Sequence, residues 1–332
     1  MKLPKMLAAV AAGALLPLTA TVAQAAAPAP APAPVPAPLA APAPQVKFAP
    51  YVDITQPKPT LGEIADASGQ KNFTLAFVLA GAGGCNPMWG GQKNLDDPGI
   101  AGQIKDLKAK GGDVAVATGG AMGPYLESTC TTPQQLADAY KKILDATGSN
   151  HLDVDVEANI PQDTVNQALA AVQKERGTKV SYTLRIQDDQ TGMDPYSVQV
   201  LQSAAKAGVD VTVNPMTMDF GASKPWGDAV ISASEAVLKQ MKTIWPDRDD
   251  ADQRAHLSVT PMIGKNDTGS VFTQDHAKQL LDWATKNQIG ALSFWSAGRD
   301  NGSCPGGGVS PQCSSIEQQP YEFTTIFKSF GG

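Results

Sequence analysis

The stretch NHLDVDVEAN, residues 150–159, carries two patterns at once. Leu152, Val154 and Val156 alternate with Asp153, Asp155 and Glu157. Alternation with a period of two is the mark of a β-strand whose faces do different work. The aliphatic face suits packing beneath helices. The other sets three carboxylates in a row, about 6.5 Å apart along the strand. Burying such groups is costly unless each finds a partner. The strand itself has no Lys or Arg, and Arg185 on the next apolar run can serve one acid but not three. A purely structural ion-pair column is therefore the weaker account, and a chemical role the stronger.

The same rhythm of apolar run, Gly/Asn/Pro loop and amphipathic stretch extends in both directions from this strand. The strand-like runs are VKFAPYVDI (46–54), FTLAFVLAG (73–81), DVAVATGG (113–120), HLDVDVE (151–157), KVSYTLRI (179–186), VDVTVNPMTMD (209–219), HLSVTPMI (256–263) and GALSFWS (290–296). Helix-like stretches lie between them. Asp97-Pro98 opens one and Thr132-Pro133 another, each a cap followed by proline in the first turn. The crossover around TLGEIADASG (60–69) has the faintest pattern. Strand–helix alternation with connections of this length demands parallel pairing. Eight such units predict an α/β fold of one (β/α)8 TIM barrel over residues 46–332. An open doubly wound sheet would want a Gly-rich phosphate turn after its first strand, where this chain has YVDITQP. In a barrel the acids point inward, with Glu157 nearest the carboxyl-end mouth, Asp155 one layer down and Asp153 deeper. Crowding them raises the proton affinity of at least one, which suits Glu157 to act as a general acid near neutral pH.

The first 45 residues read differently. Lys2 and Lys5 precede the apolar run MLAAVAAGALLPLTATVAQA, which ends in Ala23-Gln24-Ala25. Residues 1–25 are thus expected to be a cleaved secretory signal rather than a retained anchor, since Pro17 interrupts the run and no polybasic stop follows. Residues 26–45 alternate Ala with Pro and predict an extended, semi-rigid spacer. An exported protein, extracellular or periplasmic, without a membrane span in its mature form, is the expectation. The formal net charge of −6 and the lack of a basic stripe argue against a nucleic-acid partner.

Four cysteines in an exported chain point to disulfides. Cys304 and Cys313 flank the short PGGGVSPQ segment, while Cys85 and Cys130 each follow a strand-like run. The favoured pairing is Cys85–Cys130 with Cys304–Cys313. No CxxC occurs and His151, His256 and His276 are scattered, so no metal site is expected.

With these residues in view, the chain resembles glycoside hydrolase family 18, the chitinases and related endo-N-acetylglucosaminidases. DVDVE (153–157) looks like the DxDxE end of that family's DxxDxDxE signature. VATGGAMG (116–123) resembles its Gly-Gly loop, through Gly119 and Gly120. NPMTMDFG (214–221) resembles its sixth-strand MxYD segment, and GALSFWSAGRD (290–300) its eighth-strand Trp segment. The resemblance implies a hydrolase that cleaves β-1,4 linkages between N-acetylglucosamine units in chitin or its oligosaccharides, endo-acting rather than exo-acting. In that scheme Glu157 protonates the leaving oxygen, and the substrate's own acetamido oxygen attacks the anomeric carbon with net retention. Asp155 orients the acetamido N–H and Asp153 shares the proton. No cofactor is required, and a monomer is expected. Trp295 stacks on the sugar, and Asp219 bonds a hydroxyl or the catalytic acid.

Two positions depart from the pattern. Asn150 replaces the first Asp of the signature, at the strand's start, where a structural effect is expected. Met218 stands where the family carries a tyrosine that binds the acetamido carbonyl, so Tyr182 or Asn214 is considered as its substitute. Trp89 and Trp226, on loops after the second and sixth runs, are candidates for neighbouring sugar subsites, whereas Trp245 and Trp283 on helices read as core. The rival readings are a sugar-binding barrel that cleaves nothing, for which Met218 argues, and an endo-N-acetylglucosaminidase acting on N-glycans.

Overall fold

Elements arise where apolar residues recur at strand or helix spacing and stop where capping residues or glycines intervene. The computed structural model describes residues 46–330. The expected signal and Ala-Pro spacer lie outside the described residues. Strands β1 (Tyr51–Asp53), β2 (Asn72–Ala80), β3 (Asp113–Gly119), β4 (His151–Val156), β5 (Lys179–Asp188) and β6 (Val211–Met216) pair in parallel as consecutive neighbours. Strands β7 (Ser258–Val259) and β8 (Ala291–Leu292) form a further parallel pair. Isolated parallel bridges join Val213 to Leu257, Met216 to Thr260, and Phe48 to Leu292. The result is an α/β fold with a mostly parallel central sheet and helices between successive strands.

The helices are α1 (Leu61–Ser68), α2 (Pro98–Ala109), α3 (Pro133–Thr147), α4 (Gln162–Arg176), α5 (Pro195–Lys206), α6 (Trp226–Ile244), α7 (Gln274–Asn287) and α8 (Glu322–Phe327). Asp97 caps α2 and Thr132 caps α3, each followed by proline in the first turn. The faint α1 is defined by a reciprocal capping box between Thr60 and Glu63. Two short helices, Leu126–Thr129 and Asp250–Ala255, have no counterpart in the sequence expectation. Antiparallel additions were also unforeseen: Pro87–Trp89 pairs with β2, Gly192–Met193 with β5, and Gly264–Lys265 with Val271–Phe272.

The sheet separates two apolar regions. Leu152, Val154 and Val156 of β4 are buried in the main core with Leu136, Tyr140, Val165 and Leu169 of α3 and α4. Removing each such side chain from water stabilises the fold by about 1.5–3 kcal/mol. A small second cluster holds Tyr51, Ala76 and Ala117, packed by Phe77 and Trp295. The cysteines pair as Cys85–Cys130 and Cys304–Cys313. Among the described residues, no helix is long and apolar enough to cross a membrane.

Candidate active site

The alternation along β4 fixes the site. Its register sets Asp153 beside Ala117 of β3 and Ser181 of β5, and Asp155 beside Gly119 and Thr183. Asp153 is 1% exposed and is well supplied with donors. Tyr51 Oη donates at 2.9 Å, Thr183 Oγ1 lies 2.9 Å from Oδ1, and Ser181 Oγ also donates. Asn214 extends this network, with Nδ2 donating to Tyr51 Oη at 3.1 Å and Thr183 Oγ1 at 2.9 Å, and Oδ1 accepting from Thr260 at 2.7 Å. Burial nevertheless pushes the Asp153 carboxyl up to about 6, against the lowering effect of its hydroxyl partners.

Asp155, one layer up, is 4% exposed, and its Oδ1 has no hydrogen-bond partner among the described residues. Burial, then the charges of Glu157 and Asp153, hold its proton affinity well above that of an ordinary carboxyl. Half-buried Glu157 follows directly after β4. Burial raises its proton affinity, the Arg185 guanidinium lowers it, and the Asp219 carboxylate raises it again. The column is therefore graded: a donor-rich acid at the bottom, a bare one in the middle and a half-exposed one at the top.

Glycine is required beside these acids for steric reasons. Gly119 has φ +82°, and a Cβ there would lie 1.9 Å from the Asp155 carbonyl oxygen. Gly120 has φ +86°, and its Cβ would meet the Phe77 ring at 2.8 Å. Gly120 N–H donates to the Asp155 carbonyl at 3.0 Å. Half-buried Trp295 stacks on Phe77 with ring centroids 5.7 Å apart and 19° between planes, and approaches Tyr51 at 6.0 Å. Asp219, at φ +56°, accepts from Thr268 N at 3.0 Å. Met218 beside it is half-buried, and its side chain has no N–H or O–H to donate.

Several sequence-chosen residues lie elsewhere. Tyr182 is fully buried and donates to Asn166 of α4 at 2.7 Å, on the helix side of the sheet, because its neighbours Ser181 and Thr183 take the inward face. It is therefore no substitute for the missing tyrosine. Trp89 is also fully buried; its segment pairs with Val78 of β2, and its indole N–H donates to Leu95 O at 3.4 Å. A rim subsite at Trp89 is thereby excluded. Trp226 begins α6 and stacks on Phe220 at 4.7 Å. Asn150 ties the start of β4 to the α4–β5 connection through Thr178 at 2.8 Å and Arg176 O at 3.1 Å. Sequence reasoning overlooked Tyr51, Phe77 and Thr183; the only available hint was a tyrosine and a phenylalanine placed inside strand-like runs.

A parallel α/β frame that sets a column of carboxyls along one strand, beside stacked aromatics, fits the glycoside-hydrolase class of site. Comparison with known proteins narrows this. No family model matches the sequence. The chain is 34% identical over 315 residues to a probable bifunctional chitinase/lysozyme of Escherichia coli (strain K12), covering 86% of this chain and 35% of that protein. It is 31% identical over 280 residues to endochitinase 11 of Metarhizium anisopliae, covering 77% and 53%. The chain thus spans about a third to a half of the length of these curated relatives. It superposes on the catalytic domain of a hyperthermophilic chitinase from Pyrococcus furiosus with a TM-score of 0.82 at 38% identity, covering 88% of this chain and 98% of that one. The chain belongs to the chitinases of glycoside hydrolase family 18.

Proposed function

We propose that this protein is an exported chitinase that hydrolyses β-1,4 linkages between N-acetylglucosamine units by retaining, substrate-assisted catalysis. The observation that carries the reading is the buried, unpartnered Oδ1 of Asp155 directly beneath Glu157. A bare carboxyl oxygen in a closed site is costly unless a ligand supplies a donor, and the acetamido N–H of the reacting sugar is such a donor. The bridges from β6 to β7 and from β8 to the segment before β1 support a sheet that closes on itself as a (β/α)8 barrel. Its carboxyl-end mouth then holds Glu157. The leader sequence and the two disulfides support export.

In this reading the proton lies at the top of the column in the reactive state. Glu157 gives it to the leaving glycosidic oxygen as the C–O bond breaks. The acetamido carbonyl oxygen closes on the anomeric carbon, and Asp155 holds the acetamido N–H, offsetting the positive charge of the oxazolinium ring. Glu157, now ionised, removes a proton from the water that opens the ring, so the configuration is retained. Asp153, anchored by Tyr51, Ser181 and Thr183, is the acid best able to carry negative charge while Asp155 changes partner. Trp295 and Phe77 offer aromatic surface for the apolar face of the sugar. Two of the P. furiosus chitinase structures are of catalytic-site mutants, one of them complexed with chito-oligosaccharides; the same substrate class is proposed here.

Purified protein assayed on chito-oligosaccharides beside Glu157→Gln tests the proposal. The expected result is turnover with initial release of the β-anomer by proton NMR, lost in the variant while oligosaccharide binding persists. Binding without turnover in both proteins overturns the hydrolase and supports a sugar-binding barrel.

A further inference from the structure

The ladder between β3 and β4 ends where the mouth begins. Gly119 lies opposite Asp155, and the N–H of Gly120 makes a last backbone bond to the Asp155 carbonyl at 3.0 Å. Beyond this point the positive φ of Gly119 and Gly120 turns the chain away from β4. The turn leaves the next rung of the ladder unmade and strands its two backbone groups: the N–H of Glu157 and the C=O of Gly120. One side chain reaches both. Tyr125, 5% exposed, accepts from Glu157 N at 3.1 Å and donates to Gly120 O.

The tyrosine is itself held. The carbonyl of Pro124 accepts from Ala80 N at 2.9 Å, at the end of β2. Glu127, fully buried, takes Thr118 Oγ1 of β3 at 2.7 Å and Tyr140 Oη of α3 at 2.8 Å on its Oε1. Cys130 closes the segment through its disulfide to Cys85. Residues 124–130 are thereby fastened to the end of β2, to β3 and to α3, and the disulfide ties them to the loop after β2.

We infer that Tyr125 is a positioning residue: its hydroxyl replaces the missing β3–β4 rung and fixes the Glu157 backbone, so that the carboxyl meets the glycosidic oxygen while the strands remain parted for substrate. The inference rests on the reading of Glu157 as proton donor. It assigns no contact with sugar to Tyr125. Loss of the hydroxyl therefore changes the aim of Glu157 and leaves the binding surface intact. Because small misplacements of a catalytic group are expensive, Tyr125→Phe is expected to lower kcat by about 10- to 100-fold with KM changed less than about twofold. A Glu157 freed from its clamp is also more open to water, which weakens the burial that leads in raising its proton affinity, so the alkaline limb of the kcat profile shifts to lower pH.

The experiment compares native protein, Glu157→Gln and Tyr125→Phe on chito-oligosaccharides of defined length, with kcat, KM and the pH profile read for each. Turnover by native protein that Glu157→Gln abolishes establishes the underlying reading; turnover insensitive to Glu157 overturns that reading, whatever Tyr125 does. Given the first result, the kcat-specific loss and the shifted alkaline limb support the positioning role. Native kcat and an unshifted profile in Tyr125→Phe overturn it, as does a loss confined to KM. Should the phenylalanine variant not fold, 4-fluorophenylalanine at position 125 fills the hydroxyl's space but donates nothing to the Gly120 carbonyl and accepts only weakly from the Glu157 amide. A lowered kcat at unchanged KM then supports the inference, and native kinetics overturn it.

Discussion

Asp155 and Asp300 are both deeply buried aspartates, at 4% and 0% exposure, yet their surroundings differ in kind. Asp300 Oδ1 accepts from Gln318 Nε2 at 2.7 Å and Phe323 N at 3.1 Å, while Oδ2 accepts from Thr324 N at 2.8 Å and Thr324 Oγ1 at 2.7 Å. Its carboxylate closes the first turn of α8. Asp155 keeps one oxygen bare and faces two further acids. Burial raises the proton affinity of both, but at Asp300 hydrogen bonds oppose the rise, whereas at Asp155 the neighbouring charges add to it. Burial alone therefore does not mark a reactive acid. The mark is a bare oxygen together with crowding by other acids: fully buried Glu127 also leaves Oε2 without a partner among the described residues, but its Oε1 accepts from two hydroxyls and no neighbouring carboxyl adds to its proton affinity.

The sharpest way to break this contrast is to change the acid above Asp155. Glu157→Gln is expected to lower kcat by about 10³-fold or more, equivalent to about 4 kcal/mol of transition-state stabilisation, with the melting temperature nearly unchanged. Asp300→Ala should do the reverse. It strands two backbone donors of α8 and is expected to cost about 3 kcal/mol of folding stability, measured by urea denaturation, while kcat per folded molecule stays at the native value. If Asp300→Ala instead damages kcat without destabilising the fold, the distinction between a satisfied and a bare aspartate fails. Asp155→Asn falls between them. The amide keeps the shape and removes the charge, so kcat should drop by about 10²-fold. Stability at pH 7 should hold or rise by about 1 kcal/mol, because a crowded carboxyl has been made neutral.

How far the sequence disclosed this contrast varies along the chain. The acids of β4 were legible because alternating Leu, Val and Val left them a single common face. Thr132 and Asp97 were legible as caps because proline follows each. Tyr182 was misread although its strand held the clue: Ser181 and Thr183 alternate with Val180, Tyr182 and Leu184, and only one of these two sets can share the polar interior with Asp153. Trp89 was misread for another reason. The antiparallel segment Pro87–Trp89 returns along β2, and a segment this short carries too little periodicity to distinguish it from a loop. Tyr51, Tyr125 and Asn214 act through partners 102, 32 and 163 residues away in sequence, respectively Asp153, Glu157 and Tyr51. No local pattern records such pairings.

The smallest effect lies near the opposite strand ends, where His256 stands between Asp210, 3.1 Å from Nε2, and Asp252, 3.1 Å from Nδ1. Here too a titratable group is partly enclosed, but every neighbour favours its charged form except burial and Arg248. The hydrogen bond to Asp210 leads in raising its proton affinity, burial opposes, and the Asp252 backbone adds to the rise. A histidine whose folded pKa lies above its unfolded value of about 6.5 stabilises the fold fully below that value, and this contribution fades as pH rises through the folded pKa. The Asp210 side chain is 66% exposed, so solvent screening holds the contribution below about 1 kcal/mol. The native melting temperature is therefore expected to fall by about 2 °C from pH 6 to pH 8 through this group, and His256→Asn should flatten that part of the curve. The alkaline limb of kcat belongs to the acid column and should be the same in His256→Asn as in native protein. A shifted limb in this variant would mean that the two ends of the sheet titrate together, and the separation between a bare catalytic acid and its satisfied structural counterparts would have to be redrawn.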